Sequence, residues 1–389
     1  MTSPATAAAR RFQEVRETEF PWTATTTYFN NASIGPIPAS TRRLLDDFDV
    51  KRAQPYLLND ADLMRLLHDG RAAAARLINA DAAEIGLATN TSYGLNQAAT
   101  LLPLAAGDVV LLPEGEFPAN VYPWLLLAPR GVQVEFVPRT SAGWPDEERL
   151  LERVTDPRVR ALAISLVQFA SGYRADVARL SAACRAHDTF LVIDAIQGLG
   201  HVPFDVRETP VDILSCGAQK WLLAPWGAGF FYVRRELLNE WRPVFNGWMA
   251  FEGTDDFSRL TAYDPTPRAD ARRFEMVTLP FQDVLGMTAS VSMLIELGID
   301  RILDHVRMLR GPLEGLVEDG RIAMASPTDA AHDSAIIAVR IDRPAAVHQA
   351  LRDAGVVCAL REGVIRFSPH CYNSLDEMEK VAVLLARPN

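Results

Sequence analysis

The sequence of 389 residues has few cysteines and no long apolar run. The four cysteines are scattered without a CxxC pair, so we expect no cysteine zinc site and no disulfide framework; they are Cys184, Cys216, Cys358 and Cys371. No window approaches 18 uninterrupted apolar residues, and the N-terminal segment has no apolar core. We therefore expect neither a membrane span nor a signal peptide, and we predict a cytoplasmic protein in a reducing compartment.

Basic side chains are also scarce relative to acidic ones, since the net charge is −10. Nucleic acid is not an expected partner, because phosphate binding requires a concentrated basic face and none is visible. A nicotinamide dinucleotide site is disfavoured because no GxGxxG follows the early strands. The 49% of hydrophobic residues, with seven Trp and seventeen Phe, are enough for a large core in two or more domains. The substrate is expected to be small.

Short aliphatic and β-branched runs alternate with helical segments through the first two thirds of the chain. This alternation predicts an α/β fold with a mostly parallel sheet and ligands at the carboxyl ends of its strands. We expect an N-terminal segment (1–28), a large domain (29–282) and a smaller C-terminal α+β domain (283–389), which includes a strand pair around Glu362-Gly363. Residues 246–275 lack periodicity and indicate a long functional loop.

The stretch DILSCGAQKWLLAPWGAGFFYV surrounds Lys220 with apolar residues. Burial disfavours the ammonium form and lowers the pKa of the amine, which a Schiff-base lysine requires. The alternative is a lysine that extends from a turn to solvent.

Three other stretches are candidates for the same site. In EIGLATNTSYGL a strand ends at Ala88 and a helix begins at about Tyr93, so the intervening TNTS could bind a phosphate at the helix N-terminus, or Thr91 or Ser92 could simply cap the helix. Asp194 ends a strand, where a carboxylate binds a ligand or caps a turn. The loop TYFNNASIGPIPAS (27–40) could line a site or be a surface connection.

A phosphate site, a strand-terminal aspartate and a lysine after a later strand form the set that pyridoxal phosphate (PLP) needs. With these motifs the sequence resembles the class V aminotransferase family of fold type I, which includes cysteine desulfurases, kynureninases and isopenicillin N epimerase. The resemblance covers about residues 25–385. It implies a PLP-dependent transferase fold and a homodimer with shared active sites.

The resemblance also implies roles for individual residues. Lys220 corresponds to the Schiff-base lysine that moves the substrate α-proton, and Asp194 to the partner of the pyridinium nitrogen. Gln197 corresponds to the residue that binds the phenolic oxygen of the cofactor, and Thr91 and Ser92 to the phosphate-binding pair.

Further positions are implied around the substrate. Phe117 falls where relatives stack a His or Phe on the cofactor ring, although it could instead be a core aromatic. Arg366 corresponds to the residue that binds the substrate carboxylate, the alternative being a surface arginine. Asn31 and Ser33 are expected near the substrate, and Thr278 resembles the residue that reaches the phosphate of the neighbouring subunit.

The sequence departs from the family pattern at two places. Desulfurases often have SGHK before the lysine, whereas this chain has GAQK, so Gln219 is expected to supply phosphate contacts instead. The Asn that many relatives carry after the strand ending near Val167 corresponds here to Gln168-Phe169, which leaves the support of the phenolic oxygen open.

The resemblance implies an enzyme that acts on a small α-amino acid through an external aldimine, as an aminotransferase or a lyase. The alternatives are an epimerase, a C–S lyase that forms no protein persulfide, and a non-catalytic PLP-binding relative. Desulfurases carry a mobile cysteine loop just upstream of the carboxylate-binding arginine. The segment GVVCALREGVIR leaves no room for such a loop around Cys358, and Cys371 lies after Arg366. We therefore predict that persulfide-forming desulfuration is not the activity.

Overall fold

The computed structural model describes residues 4–238, 240 and 245–386. Its helices in chain order are α1 (Pro4–Glu19), α2 (Ala39–Arg52), α3 (Asp60–Leu77), α4 (Thr91–Leu101), α5 (Tyr122–Leu125), α6 (Glu147–Val154), α7 (Val177–Ala186), α8 (Arg235–Leu238), α9 (Phe281–Leu297), α10 (Ile299–Glu318), α11 (Pro344–Asp353) and α12 (Leu375–Leu385). Its strands are β1 (Thr27–Tyr28), β2 (Ile85–Ala88), β3 (Val109–Pro113), β4 (Gln133–Val137), β5 (Val159–Ser165), β6 (Phe190–Asp194), β7 (Ile213–Gly217), β8 (Gly229–Val233), β9 (Ala323–Met324), β10 (Ile337–Arg340), β11 (Val356–Val357), β12 (Ala359–Arg361) and β13 (Val364–Phe367).

A seven-stranded sheet in the order β2-β8-β7-β6-β5-β3-β4 forms the centre of the molecule. The strands from β7 to β4 are parallel to one another, which confirms the predicted mostly parallel sheet. Strand β8 is antiparallel to both of its neighbours. The reversal follows from chain length, because only residues 218–228 join β7 to β8 and a parallel crossover needs a dozen or more residues.

Both faces of this sheet are buried against helices. Alternate residues of β5 show the arrangement: Leu162 and Ile164 belong to the apolar core beneath α3, α6, α7 and α9, whereas Ala161 and Ala163 belong to the core beneath α4 and α5. A strand buried on both faces reads as a continuous apolar run, which is why the sequence pattern located these strands. Lys220 and Asp194 follow or end such strands at the carboxyl edge of the sheet.

A second, antiparallel sheet in the order β12-β13-β10-β9 lies in the C-terminal third. Strands β12 and β13 form the predicted pair, and the two residues between them, Glu362 and Gly363, have φ of 46° and 78°. Two consecutive positive φ values give the tight turn that matches the twist of a hairpin. The N-terminal segment joins this region, because β1 pairs in parallel with β11.

Helix α9 packs against α2 and α3 at one side of the central sheet, and α10 packs against α12 in the C-terminal third. The boundaries that we place at residues 28/29 and 282/283 remain a prediction. Among the described residues, no helix has both the length and the apolar character needed to cross a membrane.

Candidate active site

The loop 27–40 presses against the turn that carries Lys220. The Gly35 amide donates to the Gln219 carbonyl (2.8 Å), and a Cβ atom at Gly35 would lie 2.0 Å from the Lys220 carbonyl oxygen. The Asn31 side-chain amide donates to that same oxygen over 3.4 Å. The loop therefore packs against the turn that carries Lys220, which contradicts the alternative of a plain surface connection; that it lines a functional site stays a prediction.

The Lys220 amine lies over an aromatic ring. Its Nζ is 5.5 Å from the centroid of Phe117, and desolvation lowers the pKa of the amine to about 8, an effect that Asp194 opposes. The position contradicts the alternative of a lysine extended into solvent. An amine with this pKa has a substantial neutral fraction near neutral pH, as a nucleophile and base requires.

Asp194 is almost fully buried at the end of β6. One carboxylate oxygen accepts from the Ile196 amide (3.1 Å), and no donor to the other is found among the described residues. Desolvation raises the pKa of the carboxyl to about 7; the charge of Glu116 raises it further and that of Lys220 lowers it. Asp194 thus caps a turn with one oxygen, and its other oxygen accepts no hydrogen bond from the described residues.

The N-terminus of α4 is capped by Asn90, whose side-chain oxygen accepts from the Tyr93 amide at 3.0 Å. The helix therefore begins at Thr91, earlier than predicted, and the alternative that Thr91 or Ser92 caps it is wrong. The Thr91 hydroxyl is buried and accepts from the Gly217 amide (2.8 Å), whereas Ser92 is exposed.

Gly217 leaves a small space among polar groups at this helix end. A Cβ atom there would lie 2.6 Å from Gln219 Oε1, 3.1 Å from Thr91 Oγ1 and 3.3 Å from the Thr91 amide nitrogen. Amides and hydroxyls that converge at the positive end of a helix suit a phosphate group. The residues present therefore fit the phosphate of PLP, and the phosphate contact expected of Gln219 stays a prediction.

Gln197 is held inside the protein. Its side-chain nitrogen donates to the Ala32 carbonyl (3.0 Å), and its oxygen accepts from the Trp221 indole (2.8 Å). An amide nitrogen has two N–H groups, so one remains for the predicted bond to the phenolic oxygen. The Asn31 side chain is engaged in the same way, because its nitrogen donates to the Lys220 carbonyl and its oxygen accepts from the Tyr372 hydroxyl at 2.9 Å.

Arg366 is 2% exposed, so the alternative of a surface arginine is wrong. Its guanidinium donates to the Phe169 carbonyl (2.6 Å) and the Ser33 hydroxyl (3.0 Å), and its Nε has no partner. No carboxylate pairs with it among the described residues. Desolvation lowers its pKa to about 10, and the charge of Arg361 acts in the same direction. A buried cation without a counter-charge favours an anionic ligand such as a substrate carboxylate.

Phe117 is 41% exposed and contacts Phe169 edge-on, with 5.3 Å between ring centroids, so it is not a core aromatic. Thr278 is exposed, and no hydrogen bond joins it to the Lys220 group within the described part of the chain. Lys220, Phe117 and Arg366 thus belong to one connected group of contacts, which also includes Asn31 and Ser33, and Thr278 is not bonded to this group within the described residues. The roles assigned to all of these residues stay predictions.

Sequence reasoning missed Glu116, a buried carboxylate next to Phe117. It accepts from the Ser165 amide (2.8 Å) and hydroxyl (2.5 Å) and from the side chains of Gln168 (2.6 Å) and Asn120 (3.3 Å). Desolvation raises its pKa, and these donors lower it. Glu116 therefore fixes Gln168, the residue at the departure from the family pattern. The signal was a charged residue immediately after the apolar strand β3 and its turn.

Comparison with known proteins decides which group this arrangement belongs to. The family model "Aminotransferase class-V" matches residues 51–381. The chain belongs to the class V aminotransferase family. It is therefore a PLP-dependent enzyme of fold type I that acts on an amino acid, as the sequence resemblance implied.

The relatives of this chain include proteins named as aminotransferases and proteins named as cysteine desulfurases. An uncharacterized aminotransferase of Bacillus subtilis is 29% identical over 304 residues, which cover 78% of this chain and 79% of that protein. A probable cysteine desulfurase of Methanothermobacter thermautotrophicus is 28% identical, with 95% of this chain and 96% of that protein covered. A solved cystine C–S lyase in complex with its product cysteine persulfide has a TM-score of 0.85 and 21% identity, covering 95% and 99% of the two chains; this likeness shows a common fold.

Proposed function

We propose that this class V enzyme transfers the α-proton of an α-amino acid through Lys220, leading to amino-group transfer or to elimination of a side-chain leaving group. The observation that carries the proposal is the Lys220 amine, whose pKa is lowered to about 8 and which lies within the electrostatic reach of the buried Asp194 and of Arg366, a buried cation with no ion-pair partner among the described residues. PLP, when bound, supplies an electron-withdrawing ring that stabilises negative charge at the α-carbon.

The residues around the pocket divide the binding of PLP among them. Lys220 would hold its aldehyde carbon, and the free oxygen of Asp194 would accept from its pyridinium nitrogen. The ring would lie against Phe117, and Gln197 would donate its remaining N–H to the phenolic oxygen. The phosphate would bind at the start of α4, between the Thr91 and Ser92 end of the helix and Gln219.

Arg366 would bind the substrate carboxylate, because its guanidinium is buried and no acidic side chain neutralises it. The Ser33 hydroxyl and the Phe169 carbonyl fix the plane of the guanidinium, so the carboxylate is held in one orientation. Asn31 supports the site indirectly, since its amide holds the Lys220 carbonyl.

Proton transfer has one evident base in this pocket. Phe117 would lie against the cofactor ring, at the position where relatives carry a His or Phe, and a phenyl ring has no exchangeable proton. This arrangement disfavours epimerisation, which returns a proton to the opposite face of the substrate. The retained lysine, aspartate and arginine likewise disfavour a non-catalytic PLP-binding protein.

A protein persulfide is disfavoured by the burial of the thiols. Cys358 lies between β11 and β12 with no intervening loop, and desolvation raises the pKa of its thiol to about 12. Cys371 is fully buried, and its pKa is also raised. A thiol nucleophile must be exposed and ionised, so sulfide release from this enzyme would occur by direct C–S cleavage.

The enzyme is proposed to be a homodimer with shared sites and to be cytoplasmic. Exposed Ser92 and Thr278 support the first point, because a partner subunit could cover the open phosphate end. Four unpaired, buried cysteines are compatible with the second.

Chemical labelling tests the role of Lys220 cleanly because the chain has only three lysines, Lys51, Lys220 and Lys380. We expect borohydride reduction of the holoenzyme to leave the pyridoxyl label on the Lys220 peptide alone. Lys220→Ala should lose the label and the absorbance response to amino acids, whereas the control Lys380→Arg, at an exposed site, should keep both. A label on another lysine would contradict the proposal.

The reaction products distinguish amino-group transfer from elimination. Amino-group transfer requires a keto acid acceptor and returns a second amino acid, whereas elimination releases ammonia and the leaving group without an acceptor. Incubation of the holoenzyme with single amino acids, with and without added keto acid, measures which occurs.

A further inference from the structure

A second arginine shares a sheet face with the buried Arg366. In the hairpin β12–β13, Ala359 pairs with Arg366 and Arg361 pairs with Val364. Cross-strand partners project from the same face, and so do residues two apart along one strand. Arg361 and Arg366 are therefore diagonal neighbours on one face of the hairpin, a relation that places backbone positions about 7–8 Å apart.

The two arginines differ in depth. Arg366 is flanked by the small side chains of Ala359 and Ala338, which leave room for its guanidinium beneath the pocket. Arg361 is exposed and lies two residue pairs closer to the turn of the hairpin. Its one hydrogen bond among the described residues is to the Leu360 carbonyl.

The charge of Arg361 reaches the pocket. It acts on both Lys220 and Arg366, on each in the direction that lowers the pKa, after the larger effect of desolvation. No acidic side chain forms an ion pair with Arg361 or Arg366 within the described residues, although many other arginines of this chain have such partners. The hairpin face thus carries two guanidinium groups, one buried and one exposed, that form no ion pair within the described residues.

We propose that Arg361 binds a second anionic group on the substrate, so that this enzyme selects α-amino acids with an acidic side chain. The proposal rests on the proposed function, in which Arg366 binds the α-carboxylate. When the α-carboxylate binds Arg366, the exposed guanidinium of Arg361 still has no anionic partner. A substrate side chain that ends in a carboxylate or sulfinate would be that partner.

Binding of non-reactive analogues tests this apart from turnover. We would titrate PLP-loaded enzyme with succinate and with succinamate, its monoamide, by calorimetry; neither has an amino group. Succinate should bind about tenfold or more tightly than succinamate, the size expected for one charge-assisted contact. In Arg361→Gln this preference should disappear, with succinamate affinity unchanged, and Arg361→Lys should restore part of it. Arg352→Gln, at an exposed arginine on α11, is the matched control and should behave as wild type.

Absorbance titrations with aspartate against asparagine, and glutamate against glutamine, extend the test to substrates. A response to neutral and acidic members with equal affinity would overturn the acidic-substrate proposal and leave the proposed function standing. No response to any amino acid, together with a label away from Lys220, would overturn the proposed function itself. Equal weakening of both ligands in Arg361→Gln, or a loss of PLP affinity, would assign Arg361 to the hairpin fold or the cofactor instead.

Discussion

The two ends of the proposed pocket differ in whether the residues of a single chain are buried and held in place there. At the substrate end, Asp194, Gln197 and Arg366 are buried and held by internal hydrogen bonds. At the phosphate end, Thr91 is buried against Gly217, but Ser92 and Thr278 are exposed. A buried, bonded group is positioned by its own fold, whereas an exposed group gains a fixed position only from a ligand or a partner.

The same contrast separates their electrostatics. The substrate end holds charges that desolvation has shifted, with the pKa of Asp194 raised to about 7 and those of Lys220 and Arg366 lowered to about 8 and about 10. The phosphate end offers neutral amides and hydroxyls around Gly217. Substitutions at the substrate end should therefore act mainly on chemistry, and those at the phosphate end on cofactor affinity and assembly.

The largest effect among the tests of this contrast is expected for Asp194→Asn. Loss of the charge that would pair with the pyridinium nitrogen should lower kcat by about 10²- to 10³-fold, the usual cost of losing one preorganised electrostatic contact. Turnover with an amino acid, at saturating PLP, measures it. Asp319→Asn, at an exposed carboxylate, is the control. Near-normal kcat in Asp194→Asn would contradict the assigned role.

Asp194→Asn should also change how the thermal stability of the apo protein depends on pH. The pKa of Asp194 is raised from 3.8 in the unfolded chain to about 7 in the folded protein. Between these two pH values the folded apo protein keeps a proton on this carboxyl, whereas the unfolded chain has lost it. The contribution of this site to stability therefore falls as the pH rises through this range. Asp194→Asn removes that dependence. The Tm of the apo variant relative to wild type should therefore increase from pH 5 to pH 8, and a constant difference would show that the carboxyl is not buried as described.

The candidate residues of the substrate end also have the clearer signals in the sequence. Lys220 and Asp194 are polar residues at the ends of apolar runs, and such a break is visible in one dimension. The turn at Glu362-Gly363 is equally local. Glu116 and its donors, by contrast, come from two segments that are distant in the sequence, 116–120 and 165–168, so no local pattern indicated that this carboxylate is buried.

Two further features that the sequence did not indicate also depend on contacts between distant segments. The internal bonds of Gln197 depend on the Ala32 loop and on Trp221. The shared face of Arg361 and Arg366 depends on the strand register, which a one-residue shift would reverse. The sequence therefore predicted the α/β class and named candidate site residues, whose roles remain predictions, but it did not indicate which of their atoms are already hydrogen-bonded within the protein.

A moderate effect is expected at the phosphate end, where Thr278 is predicted to act across a homodimer. Sedimentation at micromolar concentration should give a dimer, and Thr278→Val should weaken PLP binding about tenfold, as for loss of one hydrogen bond to a charged group. Thr328→Val, at another exposed threonine, should not. An active monomer would contradict the shared site.

Mixed dimers sharpen this test. A Lys220→Ala chain paired with a Thr278→Val chain contains one site with both native residues if sites are shared, and none if each site belongs to one chain. Shared sites predict that the mixture recovers a fraction of wild-type PLP affinity with label on the Thr278→Val chain. If the PLP affinity of the mixture equals that expected from the two variants measured separately, Thr278 acts within its own chain or not at all.

The smallest effect is expected for Cys358→Ala combined with Cys371→Ala. Both thiols are buried with raised pKa values, so neither can present a thiolate to a substrate sulfur, and their removal should leave kcat unchanged for any substrate, cysteine included. The assay is alanine and sulfide release from cysteine with a thiol reductant, together with a mass measurement for protein persulfide. Thermal melting of the variant controls for packing loss. Strong wild-type release of alanine that vanishes in a folded double variant would show that one of these cysteines reaches the pocket, and the proposed direct chemistry at the substrate end would then be wrong.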